Sequence, residues 1–198
     1  MLSARRKQIS KQRRALTLFE LLLTVVIIGI LFALIIPQLN TSAADQLQAA
    51  AQIVASDVEY ARSLAVSNDT KYRFTFEPDS DRYYLEHTGT NSLFDVLPPS
   101  AFKLNTDPPD RQTTDLHSLP LMGPRVHLAA VYSVGTSTVD VVTLEFNPLG
   151  ATTRIQQTVI WLACGSGEGE RFLSLHVNPT TGLVEIGSLT TELPPTTE

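Results

Sequence analysis

The chain has 198 residues, carries a net charge of −5 and contains a single cysteine, Cys164. One cysteine excludes an intramolecular disulfide. The charges are unevenly distributed, because six of the fifteen basic residues lie within the first fifteen positions, where no acidic residue occurs. Beyond Ala15, nine basic residues stand against twenty acidic ones, a net charge of −11. This net negative charge argues against extensive contact with nucleic acid, since phosphates require clustered Lys and Arg.

A long apolar segment follows this basic leader of residues 1–15. Leu16 to Ile36 comprises 21 residues, of which Glu20 is the only charged one. A helix rises about 1.5 Å per residue, so the segment reaches across the hydrocarbon core of a bilayer, which is about 30 Å thick. Basic residues on one side orient such a segment with that side in the cytoplasm. The sequence therefore predicts a transmembrane helix over 16–36.

Glu20 requires an explanation, because an acidic side chain inside a spanning helix costs about 2.5–3.5 kcal/mol at mid-depth. Cleavage after Ala15 would give Leu16 a free α-amino group. The amino group of a neighbouring copy can then pair with the Glu20 carboxylate, and a filament of staggered helices supplies such a neighbour. Glu20 is therefore a candidate assembly residue.

The residues around this site resemble a known signal. The segment ALTLFE from Ala15 to Glu20, with Gly29 and Pro37 further along, is similar to the class III signal of type IV pilins and type II secretion pseudopilins. The resemblance implies that a prepilin peptidase cuts between Ala15 and Leu16 and methylates Leu16. It also implies that Glu20, Gly29 and Pro37 act in filament assembly. Ala15 stands where glycine is commonest in that family, and Leu16 where phenylalanine is commonest.

Other interpretations of the segment stay open. A Sec signal peptide has a shorter apolar core and a small-residue cleavage site after it, whereas a further helical pattern follows here. The pair Arg13-Arg14 is compatible with a twin-arginine signal, but the long apolar run and Glu20 favour retention in the membrane. A plain single-pass anchor accounts for the segment but leaves Glu20 unexplained.

The apolar pattern continues beyond Pro37 at steps of three and four residues, which predicts an amphipathic helix over 37–68. Its apolar stripe consists of Leu39, Ala43, Leu47, Ala50, Val54, Val58, Ala61 and Ala65. Pro37 should kink the helix, and Glu59 and Arg62 are placed as an i,i+3 pair of opposite charge. We expect one helix of about 50 residues in all. Its stripe should pack on a globular domain, since it would otherwise face water.

That domain should span residues 69–190 and be rich in β-structure. Alternation of apolar and polar residues predicts strands at 71–77 and 82–87, joined by a turn. Further strand candidates lie at 125–132, 139–146, 158–163, 171–177 and 183–186. The predicted fold class is α+β, a pilin-like arrangement in which the long N-terminal helix packs on an antiparallel β-sheet.

Two segments lack sustained alternation. Prolines punctuate residues 88–124, which predicts a long loop there, with at most a short strand at 101–104. Residues 191–198 read as a flexible tail.

Three short segments refine the resemblance. All three are similar to segments of GspH/FimT-like minor pseudopilins. Residues 57–66 resemble the end of the long helix in that group, residues 144–150 resemble a strand followed by a turn, and residues 181–184 resemble a turn into the last strand. Residues 147–150 would form an ordinary turn in any protein, because proline presets φ and glycine tolerates positive φ. Arg62 is open to two interpretations, a solvated helix residue or a contact to a partner.

Residue types suited to catalysis or metal binding form no recognised motif. The four histidines are scattered, without an HExxH pair. Residues 164–169 match neither a nucleophile elbow nor a phosphate loop, and Cys164 reads as a small buried apolar residue. The carboxylates able to bind calcium are Asp79, Asp81, Asp107, Asp110 and Asp115. Turn formation and solubility explain them better, so we expect no cofactor, no metal and no enzymatic activity.

The resemblance implies a minor pseudopilin, a structural subunit of the periplasmic pseudopilus of a type II secretion system, at the filament tip by analogy. It would be anchored in the bacterial inner membrane with its C-terminal domain in the periplasm. Its partners would be other pseudopilins or pilins in a hetero-oligomeric filament, the prepilin peptidase and secreted cargo. The alternatives are a minor type IV pilin acting in pilus assembly or DNA uptake, an anchored periplasmic enzyme or binding module, and a simple anchored envelope protein.

Overall fold

A computed structural model describes residues 17–35, 42–98, 106–119, 126–135, 137–192 and 194. The chain divides into two units, Met1–Thr41 and Ser42–Glu198. The first unit contains helix α1 (Leu18–Ile35), and the predicted transmembrane helix over 16–36 extends past both of its ends. The side chains of residues 17–31 are all exposed. None of the helices within the described ranges meets the length and hydrophobicity that spanning a bilayer requires.

The second unit begins with its own helix, α2 (Ala43–Ser67). Ser42 has extended backbone angles, and its hydroxyl accepts a hydrogen bond of 3.2 Å from the amide of Asp45, while the Asp45 carboxylate accepts one of 3.3 Å from the amide of Ser42. This reciprocal capping box marks a helix N-terminus. The described residues therefore form two α-helices, whereas the apolar pattern predicted one helix of about 50 residues.

The apolar stripe of α2 forms the middle of the core. The buried residues of this helix are Leu47, Ala50, Ala51, Val54, Val58, Ala61 and Ala65, and Ala43 packs against them partly buried. Every predicted stripe residue within the described ranges thus lies on the buried side, and Leu39 lies outside those ranges. Cys164 is fully buried against the same core, as predicted.

The described residues of the second unit form nine strands in two antiparallel sheets. The strands are β1 (Tyr72–Glu77), β2 (Arg82–His87), β3 (Arg111–Asp115), β4 (Val126–Val134), β5 (Thr138–Asp140), β6 (Thr143–Phe146), β7 (Gln157–Cys164), β8 (Arg171–Val177) and β9 (Val184–Ile186). One sheet has the order β3-β2-β1-β6 and the other β5-β4-β7-β8-β9. Helix α2 contacts strands of both sheets. The α+β class with antiparallel pairing is confirmed.

The predicted strand over 139–146 is two strands that belong to different sheets. β5 pairs with β4, and β6 pairs with β1. Between them, the Val141 amide donates to the carbonyl of Val131 (2.9 Å), while the carbonyl of Val142 accepts from the Phe76 amide (2.7 Å). The chain therefore crosses from one sheet to the other at 141–142 and links them, a known way of turning a corner between packed sheets.

The Pro-rich segment 88–124 contains a strand that its alternation did not indicate. β3 lies at the sheet edge beside β2. Its outer side is covered by the preceding turn, where the Asp107 carboxylate accepts a hydrogen bond of 2.6 Å from the Thr113 amide. Such a cover prevents pairing with another chain. The short strand considered at 101–104 lies outside the described residues.

A partly buried acid fixes α2 to the first sheet. The Asp57 carboxylate accepts hydrogen bonds from the hydroxyls of Tyr83 (2.7 Å) and Thr114 (3.3 Å). Burial raises the pKa of Asp57, and the two hydrogen bonds act in the opposite direction. Burial also raises the pKa of Tyr83 well above its usual range, and the nearby Asp57 charge adds to that rise. One carboxylate thus joins the helix to two strands.

Candidate functional site

Two of the five residues predicted for cleavage and assembly lie on α1, and the other three, Ala15, Leu16 and Pro37, lie outside the described residues. Glu20 is in the first turn, and its backbone amide donates a hydrogen bond of 3.2 Å to the Thr17 hydroxyl. None of the ion pairs among the described residues includes the Glu20 carboxylate. Within the described ranges, Glu20 thus has no ionic partner.

Gly29 leaves a gap on the surface of α1. A Cβ built on it would meet nothing within 4 Å. Glu20 and Gly29 are nine residues apart, which at about 100° per residue places them on opposite faces of the helix. Any neighbour that pairs with Glu20 and any helix that approaches closely at Gly29 must therefore lie on different sides of α1.

The three sequence segments that refine the resemblance meet at one place in the second unit. The Nε of Arg62, on α2, donates a hydrogen bond of 2.6 Å to the carbonyl of Thr181. No ion pair between Arg62 and Glu59 occurs among the described residues, so the predicted i,i+3 pair is wrong. The arginine reaches instead to the turn before β9, and it is a structural contact rather than a freely solvated residue. We call this place the Arg62 junction.

Two turns of similar sequence build the junction, residues 147–150 (NPLG) and 178–182 (NPTTG). In the first, the Asn147 side chain accepts a hydrogen bond of 2.9 Å from the Leu149 amide. In the second, the Asn178 side chain accepts hydrogen bonds of 2.9 and 3.0 Å from the two amides that follow Pro179. Each asparagine thus fixes its own turn.

Two glycines allow these turns to pack together. Gly150 and Gly182 have φ values of +80° and +67°, where only glycine is unstrained. A Cβ added to Gly182 would clash with the carbonyl oxygen of Gly150 and lie 2.9 Å from the Arg62 Cδ. The two turns and the arginine are therefore in direct contact, and a side chain at Gly182 would separate them.

Thr70, His87 and Asp95 form a relay that resembles a hydrolytic triad. The Thr70 hydroxyl lies 2.8 Å from His87 Nε2, and His87 Nδ1 lies 2.7 Å from an Asp95 carboxylate oxygen. A nucleophile must be open to its substrate, but Thr70 is buried and the Gly89 backbone lies directly over its hydroxyl. The three residues therefore tie the 88–97 segment to the end of α2. Sequence reasoning missed them, because they are not adjacent in the chain and match no motif.

A cleft of about 700 Å³ lies beside the first residue of α2 and is lined in part by Asp81, His117 and His127. Asp81 accepts a hydrogen bond of 2.7 Å from the Leu128 amide and lies 3.4 Å from His117 Nε2, while His127 lies 3.2 Å from Glu170. Each imidazole of the cleft thus has a carboxylate partner, Asp81 for His117 and Glu170 for His127.

Three of the five carboxylates considered for calcium have other partners. Asp107 covers the edge of β3, Asp81 bonds the Leu128 amide, and Asp115 accepts a hydrogen bond of 2.9 Å from the His117 amide. Over the part of the chain that the structure describes, no three His, Cys, Asp or Glu side chains gather as a metal site would require. The geometry therefore supports the turn roles for these three carboxylates.

Comparisons with known proteins give two structural matches. No protein-family model matches the chain, and no curated protein matches it in sequence. The type IV minor pilin FimU of Pseudomonas aeruginosa is similar to it in two crystal forms. One has a TM-score of 0.45 and 15% identity over 73% of this chain and 90% of that chain. The other has a TM-score of 0.40 and 18% identity over 72% of this chain and 93% of that chain. At these values the likeness transfers no function to this chain.

Proposed function

We propose that this chain is a GspH/FimT-like minor pseudopilin, a structural subunit of the periplasmic pseudopilus of a type II secretion system. The observation that carries the proposal is α1 itself. Its apolar side chains from Leu18 to Leu31 are exposed, and its one acidic residue, Glu20, has no ionic partner among the described residues. A helix of this kind requires surroundings that bury apolar surface, and it requires a cation for its carboxylate.

A filament of like helices meets both requirements. In the proposal, residues 16–36 hold the chain in the inner membrane until assembly. A prepilin peptidase cuts between Ala15 and Leu16 and methylates Leu16. The new amino group of one subunit then pairs with Glu20 of its neighbour, and helices approach closely at Gly29, because small residues allow close contact between helices in lipid.

The Ser42–Glu198 unit is the periplasmic part in this proposal. Its core and its two sheets supply a stable surface, and we propose that it lies at the filament tip. Its role is assembly and contact with other minor subunits and with secreted cargo.

Substitution of Glu20 tests the proposal. Glu20→Ala should leave membrane retention unchanged and lower incorporation into the filament by about tenfold, the change that about 1.4 kcal/mol produces. Glu59→Gln is the matched control, since Glu59 is a glutamate on the exposed side of α2. Incorporation is measured as the fraction of the chain recovered with cross-linked filaments, and export of a secreted substrate is measured in the same cells.

The outcomes separate the candidate functions. Recovery with pseudopilins and loss of export in Glu20→Ala cells support the pseudopilin. Recovery with type IV pili instead would make the chain a minor pilin. Normal incorporation of Glu20→Ala contradicts the pairing on which both depend.

A further inference from the structure

We propose that the outer surface of the Arg62 junction is a docking face for a different protein, one that presents an apolar side chain beside a carboxylate. The face consists of Val66, Leu149 and Leu183 with the guanidinium of Arg62, and we call it the Leu149 face. The three apolar residues are 47%, 88% and 50% exposed. The inference does not depend on the filament role proposed above.

The apolar residues of this face come from three elements that meet at the junction. A Cβ added to Gly150 would lie 3.0 Å from Val66 Cγ2, so the Val66 side chain lies against the turn that carries Leu149. Leu183 follows Gly182, which abuts the Gly150 carbonyl. Clustered exposed apolar residues on a folded domain mark an interaction surface more often than isolated ones do.

Hydrogen bonds fix the backbone of the turn that carries Leu149. Its amide is bonded to the Asn147 side chain, the Gly150 amide donates 2.9 Å to the Asn147 carbonyl, and the Asn147 amide donates 2.9 Å to the Ala151 carbonyl. Pro148 fixes one further φ. A turn whose backbone is already fixed loses little conformational freedom when a partner covers its side chain, which favours binding.

Arg62 gives the face its charge preference. Its Nε is used by Thr181, but its two terminal nitrogens have no partner among the described residues. A Cβ on Gly150 would lie 3.2 Å from the Arg62 Nε and 3.5 Å from its Cζ, so the guanidinium lies against the same turn as Leu149. Two free nitrogens of a guanidinium match the two oxygens of a carboxylate. Arginine beside exposed apolar side chains is also the composition typical of interface hot spots.

A different protein fits this face better than a second copy does. Beyond Ala15 the side chains of this chain sum to −11, so two copies repel one another at neutral pH. A partner needs only one carboxylate at Arg62, and its remaining surface is free to be neutral or basic.

Peptide binding to the full-length chain in lipid nanodiscs tests this inference, since nanodiscs leave no free detergent to cover apolar surfaces. Two heptapeptides are immobilised at high density. One has leucine, glutamate and leucine at its centre between serine and glycine residues, and the other has glutamine in place of the glutamate. We expect at least fivefold more binding to the glutamate peptide. Leu149→Asp should lower that binding at least fivefold, and Arg62→Gln should abolish the difference between the peptides.

Leu93→Asp is the matched control, because Leu93 is 82% exposed on a turn outside the junction. It should leave binding unchanged. Leu149→Asp alters an exposed side chain, so its result stands even if Arg62→Gln weakens the fold. Equal binding to the two peptides, equal loss with Leu93→Asp, or no binding overturns the inference. Self-association of the chain in sedimentation that Leu149→Asp abolishes would make the occupant a second copy and would also overturn it.

Discussion

Arg62 and Thr181 are joined by a hydrogen bond of 2.6 Å although they are 119 residues apart in sequence. The bond connects the last turns of α2 to the loop before β9, and the loop after β6 packs against both. Segments 57–66, 144–150 and 181–184, which carry the closer resemblance, thus form one contiguous structure. These segments hold the end of α2 against the loops after β6 and before β9.

Gly182→Ala should destabilise the second unit strongly. The residue has φ +67°, which costs a non-glycine residue about 1 kcal/mol, and its new Cβ would clash with the Gly150 carbonyl. We expect a total loss of about 3 kcal/mol, measured by urea unfolding of the chain in nanodiscs and followed by the fluorescence of its single tryptophan, Trp161. Gly167→Ala is the control, since its φ is +63° with nothing within 4 Å. A loss as large at Gly167 would show that backbone conformation alone is responsible.

Ser42→Ala should lower the stability of the same unit by about 1 kcal/mol, because the capping box at the start of α2 loses its hydroxyl acceptor. Ser56→Ala, on the exposed side of α2, should change it by less than about 0.5 kcal/mol, since alanine is the better helix former. Unfolding in urea measures both. An unchanged free energy of unfolding in Ser42→Ala would mean that the capping box does not stabilise the start of α2.

Most of the secondary structure could be predicted from periodicity, because burial of one face imposes it directly. The exceptions have physical causes. The start of α2 after Ser42 has a signal in the sequence, a serine with Asp45 three residues later, but the apolar stripe continues across it and predicts a single helix. The corner at 141–142 was not predictable, since nothing in the 139–146 pattern tells which neighbour each half pairs with. β3 is a polar edge strand, and such strands carry little hydrophobic signal.

The free energy of unfolding of Asp57→Asn should increase relative to that of the wild type as pH rises. Burial raises the pKa of Asp57 above its ordinary value of 3.8, so the folded state binds the proton more tightly than the unfolded state does. The contribution of Asp57 to stability is therefore largest at low pH, and it decreases as pH rises from 3.8 through the folded-state pKa. Asparagine does not titrate in this range.

The measurement is the difference in free energy of unfolding, Asp57→Asn minus wild type, from about pH 3 to pH 7. It should increase across that range. A decrease would mean that the hydrogen bonds from Tyr83 and Thr114 outweigh the burial of the carboxylate.

Gly29→Leu should impair filament assembly while the single chain keeps its helix α1. A Cβ at this position meets no atom of the described residues within 4 Å, and leucine is a better helix former than glycine by roughly 0.8 kcal/mol. We expect α1 to keep its helicity in circular dichroism while incorporation into filaments falls. Ile28→Leu is the control for a neighbouring position. Unimpaired incorporation of Gly29→Leu would exclude close helix contact at this residue.

The candidate site was only partly accessible to sequence reasoning. Glu20 was identified because a charge within an apolar run is anomalous on physical grounds alone. The role of Arg62 was not decidable, since its partner Thr181 is reached only through the tertiary fold. The Asn178 turn had a signal that was missed, a second Asn-Pro pair followed by glycine that matches residues 147–150.

Pairing between Glu20 and a neighbouring subunit requires an amino group freed by cleavage, and intact-mass spectrometry of the chain extracted from native membranes shows whether that group exists. We expect a polypeptide that begins at Leu16 and carries one methyl group on its amino nitrogen. A chain that still begins at Met1 would contradict it, because no such amino group would exist.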